Sequence, residues 1–254
     1  MMRVPRLVTA VALASLSFAA PATKAAGHAS KVERGAFSRD AAFACSPPQF
    51  MEPLRIPSPD GQKTIVVTSD HDKDLPHSIL TVEAFGKEFE ADFTWSPDCE
   101  VAWSPDSRAF FATYTLGGAV GDFVTQIFFV RPGGLELVDP TEALVTEFMS
   151  RPHYCYWNEE PNVGSVTWLG DSSRLLVAAE FLPHSNCEEM GTFRVYEITI
   201  PEGKILREHD QLSAKRLFWR HLGDELRNAD DECPRKPKRC DAEAVKLGRE
   251  RFTD

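Results

Sequence analysis

The residues best placed to do chemistry lie in two short stretches. His153-Tyr154-Cys155-Tyr156-Trp157-Asn158-Glu159-Glu160 concentrates aromatic, polar and acidic groups, and His184-Ser185-Asn186-Cys187-Glu188-Glu189 adds a second histidine and two more carboxylates. A disulfide between Cys155 and Cys187 would bring the two stretches together. Histidine beside several carboxylates can hold a cation or run acid–base chemistry. Tyr and Trp are also the side chains that contribute most at binding surfaces, and a tethered loop loses less entropy on binding. The binding set read from the sequence is therefore His153, Tyr154, Tyr156, Trp157, Glu159, Glu160, His184, Glu188 and Glu189. The plainer use of Tyr154, Tyr156 and Trp157 is to plug one end of a core.

Other motifs fall short of a mechanism. Gly164-Ser165 lacks the rest of a G-x-S-x-G elbow. Gly117-Gly118-Ala119-Val120-Gly121 has the glycines of a phosphate loop, but no Lys and no following helix, so it reads as a hairpin tip. Asp70-His71-Asp72-Lys73-Asp74 alternates carboxylates as a calcium loop does, with Leu75 where glycine belongs and Thr81 where the closing Glu belongs. No Cys-x-x-Cys pair marks a zinc cluster. The sequence names no catalytic residue, no metal ligand set and no cofactor.

These stretches hang on elements announced by a recurring turn. Ser58-Pro59-Asp60-Gly61, Ser96-Pro97-Asp98 and Ser104-Pro105-Asp106 share it, and Leu169-Gly170-Asp171-Ser172 is a worn copy. Pro presets φ for the first central position, and Asp bonds its own backbone onward. Val101-Ala102-Trp103 and Val166-Thr167-Trp168 lead into two of the turns with the alternation of half-buried strands. A β-rich run follows each: Thr64 to Thr68, Phe110 to Thr115 and Leu175 to Ala179. A third strand comes next (Ser78 to Glu83, Thr125 to Val130, Thr192 to Ile198). A glycine turn and a fourth short strand close the unit, as in Leu135 to Val138 and Lys204 to Leu206.

The unit resembles a blade of TolB-type and WD-repeat-like β-propellers, in which W-S-P-D-G marks the first turn of a blade. The matching residues are Trp103-Ser104-Pro105-Asp106 and, more loosely, Pro57-Ser58-Pro59-Asp60-Gly61 and Trp168-Leu169-Gly170-Asp171. The resemblance implies an all-β fold of about three four-stranded antiparallel blades, fewer than the four to eight of a closed propeller. It implies no active site. A β-sandwich with the same hairpins is the alternative.

The chain divides into four parts on this reading: a signal peptide over 1–25, a lead-in over 26–53, the β-repeat domain over 54–210, and a helical, disulfide-bonded extension over 211–254. Arg3 and Arg6 precede an apolar run from Leu7 to Ala20 and small-residue cleavage sites, the pattern of a cleaved export signal. No later run is long enough to span a membrane. Six cysteines, Cys45, Cys99, Cys155, Cys187, Cys233 and Cys240, fit a disulfide framework in an oxidising compartment. Fifteen connectivities are open. Spacing favours Cys233–Cys240 and Cys155–Cys187, which leaves Cys45–Cys99. Leu212, Leu217, Phe218, Leu222 and Leu226 recur at helical spacing, with Ser213 as an N-cap, to cover an open edge of the sheets. Asp241 to Arg251 reads as a second short helix. The basic run Arg235, Lys236, Lys238 and Arg239 reads as a solvated loop.

A formal net charge of −10 argues against a nucleic-acid partner. Two function classes remain. One is a secreted or periplasmic, non-catalytic binding or scaffold protein that takes a protein or a small extracellular ligand. The other is a secreted hydrolase or metal-dependent enzyme working through the loops at 153–160 and 184–189. The first leads, because blade-type repeats present loops to partners.

Overall fold

The computed structural model describes residues 35–45, 53–70, 77–91, 99–115, 122–151, 153, 159–170, 172–183 and 187–229. All lie in the compact unit Val32–Asp254. Their architecture is mostly β: three antiparallel sheets and three short helices.

A short strand, β1 (Ala42–Phe43), precedes the sheets in sequence. Sheet one runs in the order β2 (Leu54–Pro57), β3 (Thr64–Asp70), β4 (His77–Ala84), β5 (Lys87–Glu90). Sheet two consists of β6 (Cys99–Trp103), β7 (Ala109–Thr115), β8 (Phe123–Arg131) and β9 (Gly134–Val138), with β1 added against β6. Sheet three is β10 (Asn162–Leu169), β11 (Arg174–Glu180), β12 (Phe193–Thr199), β13 (Ile205–Asp210). Each sheet is thus a meander in chain order, as the turn spacing predicts. Three sheets do not make a closed propeller.

Period-2 alternation sorts the side chains into layers. On β7, Phe110, Ala112 and Tyr114 face sheet one, where they meet Ile65, Val67, Leu80 and Val82. Ala109 and Phe111 face sheet three and meet Leu175, Val177, Ala179, Tyr196 and Ile198. Sheet two is therefore buried on both faces, and every residue of β6 and β7 is buried. The other face of sheet three carries Val166, Leu176, Ala178, Phe193 and Val195.

The turns are built alike and bond to one another. In the first, Ser58 Oγ lies 2.6 Å from Asp60 Oδ1 and accepts the Lys63 amide at 3.0 Å. In the second, Ser104 Oγ lies 2.7 Å from Asp106 Oδ1 and accepts the Ala109 amide at 3.0 Å. The fourth turn residue, Gly61, Ser107 or Ser172, is left-handed, with φ of 68°, 61° and 72°. Two of the three are serine because the hydroxyl reaches the preceding turn. Ser107 Oγ accepts the Asp60 amide at 3.0 Å, and Ser172 Oγ accepts the Asp106 amide at 3.2 Å. The tryptophans repeat the same offset: Trp103 Nε1 donates to Ile56 O at 3.0 Å and Trp168 Nε1 to Ala102 O at 3.3 Å.

The helices differ from expectation in detail. α1 (Thr141–Met149) was not legible as an element in the stretch before the third repeat, and it seals the space between sheets two and three with Leu144 and Phe148. α2 (Gln211–Phe218) is capped by Asp210, with Ser213 supplying the amide at 2.7 Å, so the predicted cap lies one turn too late. α3 (Asp224–Asn228) follows. Leu222 and Leu226 are buried against sheet three, whereas Leu212 and Leu217 point to solvent. The helices cover a face of the third sheet rather than an edge. The segment 241–251 and the basic run lie outside the described residues. No described helix is long and apolar enough to cross a membrane.

Candidate functional site

The predicted lead-in contains the first component of the site. Residues 35–41 do not trail over the surface; they form a strap wedged between the inner strands and the C-terminal helices. Phe37 is fully buried, its ring set directly on Gly164 of β10, where any Cβ would run into it. Gly223 gives the same clearance to the carbonyl of Ala36. Ser38 Oγ donates to Val166 O at 2.7 Å and accepts the amide of Ala41 at 3.0 Å. On the opposite side the strap accepts three amides from the approach to α3: Gly223 to Phe37 O at 2.7 Å, Asp224 to Gly35 O at 3.1 Å, and Glu225 to Ala36 O at 3.1 Å.

Beneath the strap lies Glu100 of β6, 1% exposed. Its carboxylate accepts the amides of Phe37 at 3.0 Å and Ser38 at 2.8 Å. Burial outweighs those bonds and pushes its pKa up to about 7. Glu180, at the end of β11, is fully buried on the helix-covered face of sheet three, and neither oxygen makes a hydrogen bond of standard geometry. Burial, reinforced by the charge of Glu225, raises it well above the usual carboxylate range; Asn162, its register partner, and Lys215 pull less strongly the other way.

At the solvent end, His221 Nδ1 donates to Asp40 Oδ2 at 2.6 Å, and Thr167 Oγ1 donates to the same oxygen at 2.6 Å. Burial works against Asp40, but the bonds from His221 and Thr167 prevail and hold its carboxyl below the usual value. The bond to Asp40 raises His221 against the effect of burial. An Asp that orients a His is half of a hydrolytic relay. Here the hydroxyl serves the carboxylate rather than the ring, so these three groups do not form a nucleophile–base–orienter chain.

Of the residues singled out from sequence, Tyr154, Tyr156, Trp157 and His184 lie outside the described residues, as do the glycines 117–121 and the 71–74 acidic loop. His153 is half-buried; Nδ1 sits 2.7 Å from Arg151 O and the ring packs on Phe181 at 5.6 Å. Phe181 in turn contacts Phe148 of α1 at 4.6 Å. Glu160 and Glu188 are exposed, and Glu159 and Glu189 half-buried. Arg151 pairs with Glu147 and Glu208, and Arg194 also pairs with Glu208. Cys45–Cys99 is bonded as predicted, with Cα atoms 4.9 Å apart, and Cys187 is disulfide-bonded too. Cys155, Cys233 and Cys240 lie outside the described residues. Among the described residues no group of three or more His, Cys, Asp or Glu could hold a metal ion.

Sequence reasoning missed Asp40, Glu100, Thr167, Glu180 and His221. The two glutamates do carry a signal, a carboxylate set inside the apolar run of Cys99–Trp103 or closing that of Arg174–Glu180. No family model matches the chain, and no curated protein matches it.

Proposed function

We propose that the protein is an exported, disulfide-bonded binding or scaffold protein whose three sheets are blades of an open, propeller-like stack. The observation that carries this reading is the latch repeated between successive turns. Ser107 holds the Asp60 amide and Ser172 the Asp106 amide, while Trp103 and Trp168 reach back to Ile56 and Ala102 with the same offset. Contacts of this kind suit an array in which each repeat touches only its neighbours. They make a rigid body from which loops are presented, which is where recognition concentrates on β scaffolds. The Cys45–Cys99 bond and the bonded Cys187 support an oxidising compartment, together with the basic-then-apolar start of the chain.

Two measurements test the reading. Protein made in an exporting host should have an intact mass lacking roughly the first 22–26 residues and should show no free thiols; two titratable thiols in the folded protein would count against export. Replacing Trp157, Glu159 and Glu160 together with Ala should abolish capture of a partner from the native extract with little change in Tm. Unfolding of the triple variant with no specific loss of capture would reduce the loop to a core plug.

A further inference from the structure

We propose that the two ends of the three-sheet stack are complementary and that copies of this chain associate head to tail, the outward face of sheet one in one copy seated on the helices that cover sheet three in the next.

The helix-covered end is apolar and basic. Ala214 of α2 is buried on sheet three, and the side of the helix turned away from it carries Leu212, Arg216 and Leu217, all exposed. Leu217 leaves 59% of its surface in water. Trp219 follows, half-buried, with Arg227 Cζ 4.2 Å from the centre of its ring. Residues 211–223 contain no Asp or Glu, in a chain whose net charge is −10. Among the described residues neither Arg216 nor Arg227 pairs with a carboxylate.

The far end has the opposite sign. The register sets Glu83 opposite Thr64 and Glu88 opposite Glu83, so both carboxylates stand on the outward face of sheet one, and Glu90 joins them opposite Thr81. Like charges facing each other across a ladder repel, and Arg55 relieves only Glu83. Glu88 and Glu90 are exposed, and among the described residues neither pairs with a cation. Beside them is a hollow lined by Gln62, Thr64, Glu83, Phe85 and Glu88. Phe85, in the turn between β4 and β5, is 53% exposed and gives the hollow an apolar rim.

Charge selects the pairing. Two sheet-one faces brought together would set carboxylates against carboxylates, and two helical ends would set arginines against arginines; such contacts are penalised once water is squeezed out. The mixed contact sets Glu88 and Glu90 against Arg216, and offers Leu212 and Leu217 the apolar rim of Phe85. Sheet two lies between the two ends, packed on sheet one by one face and on sheet three by the other. A contact between two different surfaces at opposite ends of a stack does not close on two copies; it leaves one end of each kind open to a further copy.

That asymmetry supplies the test. Sedimentation of the whole, disulfide-bonded chain between about 1 µM and 1 mM should show an average mass that rises with concentration past that of a dimer. Arg216→Glu spoils the helical end and Glu88→Gln, Glu90→Gln the sheet end, all at exposed positions; each variant should associate about tenfold or more weakly with itself, with unchanged Tm. Leu217→Ser, which leaves the charges in place, should weaken association as well. Mixed in equal amounts, the Arg216→Glu and Glu88→Gln, Glu90→Gln variants should form dimers and stop there, because each retains the end that the other has lost. A wild type that stays monomeric throughout, self-association unchanged in either variant, or a mixture no more associated than its two components would each overturn the proposal.

Discussion

Sheets one and three are both four-stranded meanders, yet their outward faces are finished in opposite ways. On sheet one that face carries Arg55, Thr64, Thr68, Thr81 and Glu83 around the buried Val66 and half-buried Ile79, with Arg55 paired to Glu83 and Thr81 bonded to Val66 O. On sheet three it carries Val166, Leu176, Ala178, Phe193 and Val195, and it is roofed by Phe37, Ala214, Leu222 and Leu226. An antiparallel sheet can end a stack by presenting a polar face to water, or by borrowing an apolar lid from elsewhere in the chain. The turn chemistry agrees: sheet one has Gly61 and Pro57 where sheets two and three have serine and tryptophan, so its turn lacks the two side chains that reach back in the others.

The largest effects should come from the positions that sheet one lacks. Trp103→Ala and Trp168→Ala each remove a buried ring and its hydrogen bond, and each should cost about 3–5 kcal/mol in chemical denaturation. Pro57→Ala, at the matching position of the end sheet, should cost less than about 1 kcal/mol. Wild-type-like melting of both tryptophan variants would dissolve the equivalence.

A smaller contrast separates the two outward faces. Leu226→Ala, a fully buried member of the lid, should destabilise by about 2–4 kcal/mol. Ile79→Ala, half-buried on the bare face, should cost about 1 kcal/mol or less. Equal losses would mean that the first face is covered as well. The smallest effect concerns a single latch: Ser107→Ala keeps the left-handed backbone but loses the acceptor for the Asp60 amide, and should cost about 1 kcal/mol.

What could be read in advance follows from the range of the forces involved. The twelve strands of the three meanders and their order were legible because turn chemistry and pleat alternation act over a few neighbouring residues, as at Ser104–Asp106 and Phe110–Tyr114. α1 was not legible because its local trace is slight, two buried apolar residues, Leu144 and Phe148, four apart behind Pro140. The strap was illegible for a different reason. Phe37 and Ser38 meet Glu100 across 63 and 62 positions, and Asp40 meets His221 across 181. Small polar residues such as Gly35, Ser38 and Asp40 look like linker until the glycines that admit them and the carboxylate that binds them are known to stand opposite.

The Cys45–Cys99 bond spans 54 positions, and the whole of sheet one lies between its ends. Sheet one is in effect the bead of a closed ring. When it melts, its chain cannot drift away from sheet two, because both exits from the ring meet at the edge of β6. Tethering of this length removes on the order of 4 kcal/mol of freedom from the unfolded ensemble. The sheet that, among the described residues, has no lid and no backward latch is thereby the one that covalent topology compels to return.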